Sequence, residues 1–279
     1  MSNIGELLLI ALGLSTPLIF AMLGGFASER GGVINIGLEG MMLAGACVSA
    51  LVGVAHGPGW GLFAGVLAAC CLSLLHWLAT QIYRIDQVIS GMAINATAAG
   101  ATNFLNQKFA SGASSTVFPE LPYQALAMVA VIAVAVIASR TRYGLHLMAV
   151  GADPAKARLV GLNPVKIRLF AAIATGLFTG LAGNYLVAET GVFTDNMTAG
   201  RGYIALAALI LAGWRPLPGL VAALIFGFLS ALSIKLQGQA VVGVVLPGEF
   251  WTSVPYLLTV LAMAGFVARS RTPAGLGKF

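Results

Sequence analysis

Charge is what this sequence has least of. Asp, Glu, Lys and Arg make up only 9% of its 279 residues, against about a quarter in soluble globular domains, which excludes a water-soluble fold with ordinary charged faces. Cysteine is almost missing. Cys47, Cys70 and Cys71 all lie in apolar stretches, and without Cys-x-x-Cys or Cys/His ligand spacing they read as small packing residues, not as a metal or redox site. No cofactor is expected. There is no Gly-x-x-x-x-Gly-Lys-Ser/Thr; the tail Gly275-Leu276-Gly277-Lys278-Phe279 shares two letters with that pattern but lacks the loop and helix that cradle phosphate. His-Glu-x-x-His and Gly-x-Ser-x-Gly are absent, and no span holds a pair of carboxylates, so an enzyme is not expected. The start of the chain has no basic n-region and no A-x-A-like site, so no secretory signal peptide is expected.

What the sequence has in abundance is apolar length. Hydrophobic residues reach 59% and mean hydropathy is +0.94. Residues 7–28, 40–83, 87–107, 121–139, 169–188, 216–234 and 250–268 carry no formal charge. A bilayer core about 30 Å thick needs about 20 apolar helical residues, so most of these runs fit one span and 40–83 fits roughly two. Turn signals at His56-Gly57-Pro58-Gly59 and Trp214-Arg215-Pro216 divide the chain further. The result is about nine segments (eight to ten): 8–28, 33–54, 60–82, 87–106, 121–139, 169–189, 198–213, 216–236 and 250–268. The expected fold is an all-α integral membrane protein, a polytopic helical bundle forming one domain over 1–279.

The net charge of +6 follows from where the cations sit and needs no nucleic acid polymer as partner. Arg140, Arg142, Lys156, Arg158, Lys166 and Arg168 face a single acid, Asp153, in one loop; Arg269, Arg271 and Lys278 lie in the tail with none. Both regions are cytoplasmic by the positive-inside rule. Four spans separate them, an even number, so the two assignments agree. Arg30 and Arg84 then also lie inside, and 107–120, 190–197 and 237–249 outside.

The seventh segment is short, since its apolar part 203–213 rises only about 16 Å as a helix; it starts nearer Asn196 or is a half-helix buried among others. Gly31-Gly32-Val33-Ile34 leading to Leu43-Ala44-Gly45 echoes Gly200-Arg201-Gly202-Tyr203 leading to Leu211-Ala212-Gly213. These lie on segments of opposite direction, as in an inverted repeat with broken helices. Gly176, Gly180 and Gly183 on the sixth span suit close helix packing.

Polar residues inside spans need partners. Asn35 and Glu39 share a face if their segment is helical. They line a gate or solute route, or else mark a helix end at the interface where Glu39 is solvated. Asp86 can cap a helix on which Gln87, Ser90, Asn95 and Asn103 climb. Such uncharged donors and acceptors suit a neutral polar solute such as a sugar or nucleoside, or serve hydrogen bonds between helices. His76 reads as a structural hydrogen bonder.

The loop Gly144-Leu145-His146-Leu147-Met148-Ala149-Val150-Gly151-Ala152-Asp153-Pro154-Ala155-Lys156-Ala157-Arg158-Leu159-Val160-Gly161-Leu162-Asn163 resembles the coupling loop of binding-protein-dependent ABC permeases. It is most similar to the branch that serves branched-chain amino acids, ribose and nucleosides, which reads Val-Gly-x-x-Pro-x-Ala-Ala-x-x-x-Gly. Val150, Gly151, Pro154 and Gly161 match, and Ala155-Lys156-Ala157 stands where the Ala pair falls, with Lys156 interrupting it. Asn35-Ile36-Gly37-Leu38-Glu39-Gly40-Met41-Met42, Gln87 to Asn95 and Gly200 to Ala208 resemble the same branch, the first two most of all the shorter permease of nucleoside importers. The resemblance implies a permease subunit in the inner membrane of a bacterium, paired with a second, longer permease, two ATP-binding subunits and an extracytoplasmic solute-binding protein or lipoprotein. It implies a coupling loop over about 140–168 in which Gly151 and Gly161 shape the chain, Asp153, Pro154, Ala155 and Ala157 form a short docking helix, and Arg158 offers its charge to the ATPase. Nucleosides or related purine and pyrimidine compounds are the expected cargo. A sugar or branched-chain amino acid, or a secondary carrier working alone, are the alternatives.

Overall fold

The charge-free runs fold as long helices, stopped where the sequence supplies glycine or proline. The computed structural model describes residues 3–109, 122–237 and 272–278, with scattered positions between 240 and 260. The helices are α1 (Asn3–Arg30), α2 (Leu38–His56), α3 (Pro58–Trp77, continued by a π turn at Leu78–Ile82), α4 (Gln87–Phe109), α5 (Tyr123–Arg140), α6 (Arg142–Ala152), α7 (Pro154–Leu159), α8 (Pro164–Thr190), α9 (Arg201–Leu211) and α10 (Pro216–Leu236). A two-residue ladder pairs Ala240–Val241 with Val244–Val245.

Local chemistry sets the boundaries. Asp86 caps α4 by accepting from the N–H groups of Val88 and Ile89. Asn163 caps α8 ahead of Pro164, and Pro58 and Pro216 open α3 and α10, where a missing N–H does no harm. Gly191 ends α8 in the left-handed region.

Among the described residues, six helices are long and apolar enough to cross a membrane: α1, α2, α3 with its π turn, α5, α8 and α10. α4 has the length, at 23 residues, but is more polar. The seventh segment is a half-helix of 11 residues, α9, preceded by irregular chain at 191–200. The ninth segment, 250–268, lies mostly outside the described residues, as do Arg269, Arg271 and most of the 107–120 connection.

The second segment differs from the sequence expectation. Helix α2 begins at Leu38, so Asn35 lies in irregular chain and shares no helix face with Glu39. Part of the cause is local: Asn35 Oδ1 accepts from the Gly37 N–H at 3.0 Å, a turn that competes with helix.

Small residues hold the bundle together, since lipid tails give helices no hydrophobic drive to associate. Helix α8 runs against α2 and α3 through the three glycines read from sequence. A Cβ on Gly180 would lie 2.6 Å from Val66 Cα, one on Gly176 would meet the Cys70 backbone, and one on Gly183 the Met42 carbonyl. At the α2–α3 contact, a Cβ on Gly65 would lie 2.6 Å from the Gly45 carbonyl oxygen. The main core cluster joins α1, α5, α8, α9 and α10 around residues such as Phe20, Met22, Tyr123, Leu209 and Phe226. Leu147, Val150, Ala157, Ile167 and Ala171 pin α6 and α7 to the foot of α8.

Candidate functional site

Irregular backbone at membrane depth survives only where its polar groups find partners. At residues 31–37 those partners are side chains from neighbouring helices. The Ile34 N–H donates to Gln87 Oε1 at 2.6 Å. The Ile34 carbonyl lies 3.0 Å from His76 Nε2, and His76 Nδ1 lies 2.9 Å from Ser90 Oγ. A carbonyl can only accept, so Nε2 carries the proton and Ser90 donates to Nδ1. Asn95 Nδ2 donates to the Ile36 carbonyl at 2.9 Å, while its Oδ1 accepts from the Gly40 N–H at 2.8 Å, serving an orphan donor in the first turn of α2. Of the residues read from sequence as a polar stripe on α4, Gln87 and Asn95 thus bind the broken backbone that precedes α2, and Ser90 reaches it through His76.

Glu39 completes the arrangement. It is 8% exposed, so the solvated interface position does not describe it. Its Oε1 accepts from the Gly200 N–H at 2.7 Å and its Oε2 from the Gly202 N–H at 2.6 Å. The N-termini of α2 and α9 therefore converge on one carboxylate. Each carries a partial positive charge, and Glu39 offsets both. Gly200 reaches this point at φ +79°, and Gly202 has no room for a side chain, because a Cβ there would lie 2.6 Å from the Glu39 nitrogen. Asn95 Nδ2 also reaches Tyr203 Oη at 2.9 Å, tying α4 to the first turn of α9. Irregular chain precedes both α2 and α9, the helices of segments two and seven.

Asn103 stands apart from the other five path candidates. It is exposed and donates to Asp195 Oδ2 at 3.2 Å, beside Asn106, which reaches Oδ1 at 2.9 Å. Helix α4 has two faces here. Gln87, Ser90, Gly91, Ile94, Ala98 and Thr102 are buried, while Ala93, Ala96, Thr97, Gly100, Asn103 and Gln107 are exposed on the opposite side. The exposed side carries small and uncharged polar residues alongside the large apolar Ile89, Met92 and Phe104.

The basic loop forms a separate site. Asp153 caps α7 by accepting from the Ala155 and Lys156 N–H groups, each at 3.0 Å, and pairs with Lys156 Nζ at 3.4 Å. The Lys156 backbone bond, foremost, holds the Asp153 carboxyl below its ordinary value. Pro154 opens the helix and is buried with Ala157, whereas Ala155 and Arg158 face outward. Gly161 turns the chain at φ +83°, and Gly151 is buried where a Cβ would collide with the Arg30 carbonyl.

Sequence reasoning missed several residues. Leu159 and Val160, 86% and 75% exposed, project from the end of α7; apolar residues beside Arg158 in a loop read for its charge were the available signal. Glu29 escaped because it ends a charge-free run; it is buried and accepts from Trp214 Nε1 at 2.7 Å. Asp195 and Tyr203 carried no signal, since their partners are distant in sequence.

Broken helices meeting inside a helical bundle, with an exposed short helix on its basic face, define a multi-pass membrane permease. The chain belongs to the family described as branched-chain amino acid transport system / permease component, whose model matches residues 7–263. It is 35% identical to the guanosine ABC transporter permease protein NupQ of Bacillus subtilis, over 94% of this chain and 92% of that one. It is 30% identical to the nucleoside ABC transporter permease protein NupC of Lactococcus lactis, with the same coverage. A putative glucose ABC transporter permease protein, TsgC13 of Haloferax volcanii, is 31% identical over 92% of this chain and 90% of its own. Among solved structures, an inward-facing putative metal-chelate type ABC transporter shares the fold, with a TM-score of 0.55 at 13% identity over 93% of this chain and 85% of that one.

Proposed function

We propose that this chain is the membrane-spanning permease subunit of an ATP-driven importer of nucleosides, acting as one domain and hydrolysing no ATP itself. The observation that carries the reading is α7: a capped, two-turn helix on the basic face that leaves Arg158, Leu159 and Val160 exposed. An apolar pair beside a cation is what a docking cleft on an ATP-binding subunit needs. By the positive-inside rule this face and the tail are cytoplasmic, in a bacterial inner membrane. A second, longer permease and an extracytoplasmic solute-binding protein or lipoprotein complete the importer.

In this reading the exposed side of α4 meets the second permease across the solute path. Asn103, with Thr97 and Gln107, supplies uncharged hydrogen-bonding groups to the path, while Asn35, Glu39, Gln87, Ser90 and Asn95 form its inner wall. Gly151, Asp153, Pro154, Ala155, Ala157, Arg158 and Gly161 build the docking element. The guanosine and nucleoside relatives support nucleoside cargo, and the glucose relative keeps a sugar as the second reading. Ribose and glucose both present vicinal hydroxyls, which uncharged hydrogen-bonding groups suit.

The test is purification of the tagged chain from its native cell in mild detergent, followed by uptake of labelled guanosine in proteoliposomes with unlabelled glucose as competitor. Co-purification of an ATP-binding subunit, and ATP-dependent uptake that glucose leaves unchanged, are expected. Recovery of the chain alone, where a control ABC complex survives, would refute the permease reading. Competition by glucose would move the cargo to sugars.

A further inference from the structure

The tail dismissed as a phosphate-loop lookalike runs back into the molecule. The Gly275 N–H donates to the Gly151 carbonyl at 2.9 Å, and the Gly277 N–H donates to the Gly32 carbonyl at 3.1 Å. One step further, the Lys278 carbonyl accepts from Arg168 Nη2 at 2.9 Å. Arg168 is only 2% exposed. Its Nε donates to the Gly31 carbonyl at 3.0 Å and its Nη1 to Gln81 Oε1 at 2.6 Å. All three of these acceptors are uncharged oxygens. Among the described residues no carboxylate pairs with this buried guanidinium, so it is poorly repaid in stability, but its rigid fork fixes three elements relative to one another.

The contact leaves no slack. A Cβ on Gly275 would lie 2.8 Å from the Gly151 carbonyl oxygen and 3.0 Å from Pro154 Cδ. Gly32 sits at φ +88°, and a Cβ there would lie 2.9 Å from Arg168 Nη2 and 3.0 Å from the Gly275 oxygen. The tail is therefore wedged between the start of α7 and the irregular chain before α2.

We infer that residues 275–278 and Arg168 are positioning residues for transport: they link the docking helix α7 to the 31–37 break, and so to the meeting point of α2 and α9. The inference rests on the permease reading above. A push on α7 displaces Gly151 and Gly275 together; Gly277 and Arg168 pass the displacement to Gly32 and Gly31, which carry α2. The direct Gly151–Arg30 contact is steric, so it can push but not pull. The hydrogen-bonded tail lets the break follow α7 on the return stroke as well.

The test uses the whole importer in proteoliposomes, comparing wild type, Arg168→Lys, a chain ending at Pro273, and the two changes combined. Solute uptake per ATP hydrolysed, the KM for solute and the amount of ATP-binding subunit retained are measured for each. Uptake per ATP is expected to fall about tenfold in both single variants, the factor that 1.4 kcal/mol corresponds to, with KM and subunit retention unchanged. The combined variant should be no worse than the truncated one, since both cut one link. Wild-type uptake per ATP in the truncated chain would overturn the inference, as would losses that multiply in the combined variant or that track only the amount of assembled complex. Failure of the wild-type chain to need an ATP-binding subunit would show in the first measurement and would refute the permease reading itself, taking the inference with it.

Discussion

Replacing Glu39 with Gln changes one heavy atom and abolishes one hydrogen bond. In the native chain both carboxylate oxygens accept, from Gly200 N–H at 2.7 Å and Gly202 N–H at 2.6 Å. Gln keeps one acceptor and turns an –NH2 donor toward the other backbone donor. Leaving a buried N–H unpaired costs about 1–3 kcal/mol. Loss of the negative charge where helix N-termini converge adds about 0.3–2 kcal/mol. Together, Glu39→Gln should destabilise the chain by about 2–4 kcal/mol, a fall in Tm of about 5–10 °C at the per-kcal shifts of a domain this size. The assay is thermal unfolding by intrinsic fluorescence of the importer in lipid nanodiscs. Glu39→Asp, which keeps the charge but shortens the reach, should fall between the two. The uptake that remains in Glu39→Gln should stay ATP-driven and indifferent to the proton gradient. An unchanged Tm would refute the account of Glu39 as the counter-charge to α2 and α9. Loss of gradient-driven uptake would instead favour a carrier coupled through this acid.

Three further outcomes follow from the same geometry. Asn95→Asp removes the donors to the Ile36 carbonyl and Tyr203 Oη and sets a carboxylate against a carbonyl; it should destabilise by about 3 kcal/mol and reduce uptake, read by the same unfolding assay. Changing Leu159 and Val160 together to Ser should leave Tm unaltered, since both are exposed, but weaken binding of the ATP-binding subunit by about 1–3 kcal/mol, or roughly 5- to 150-fold, measured by titration of the purified subunit. Asp153 has a folded pKa below its ordinary 3.8. Its capping contribution is therefore present above that ordinary value and is lost as pH falls through the folded one; hydrogen exchange at the Ala155 and Lys156 amides should be protected at pH 5 and accelerate relative to neighbouring helices below about pH 4.

The spans were legible because membrane solvation is written in composition: long charge-free runs have few other uses. The short helix α7 was legible because Asp153, Pro154 and Gly161 are local signals whose partners lie within a turn. The start of α2 was not. A stretch such as Val33-Ile34-Asn35-Ile36 looks apolar enough to extend the helix, and beyond the local turn at Asn35 what holds it unwound is supplied from far away: Gln87, Asn95, Arg168 and the tail, which bind the backbone there. The same distance hid Glu39, whose partners at Gly200 and Gly202 are more than 160 residues along the chain. The polar residues were correctly picked out as expensive, but their cost could be assigned to a partner only once the fold placed them.

That assignment also divides the polar stripe on α4 by direction. Buried Gln87 and Ser90, together with Asn95 at the edge, reach backbone or His76 in the break. A solute that used those groups would have to compete with bonds already made, at the cost of exposing irregular backbone to lipid or to an empty path. Asn103 and Gln107 are under no such obligation: they lie on the exposed side, bonded to Asp195 and to each other, where water or solute can replace a partner at little cost. Recognition should therefore follow the exposed face of α4, while the inner residues decide whether α2 and α9 hold together as the path opens. The two roles separate in kinetics. Asn103→Ala should alter KM and the ranking of competing nucleosides with little change in Tm, whereas Asn95→Asp should lower Tm and maximal uptake with the ranking preserved. If Asn95→Asp changed the ranking and left Tm alone, the inner wall would be the binding surface and the assignment of faces would be reversed.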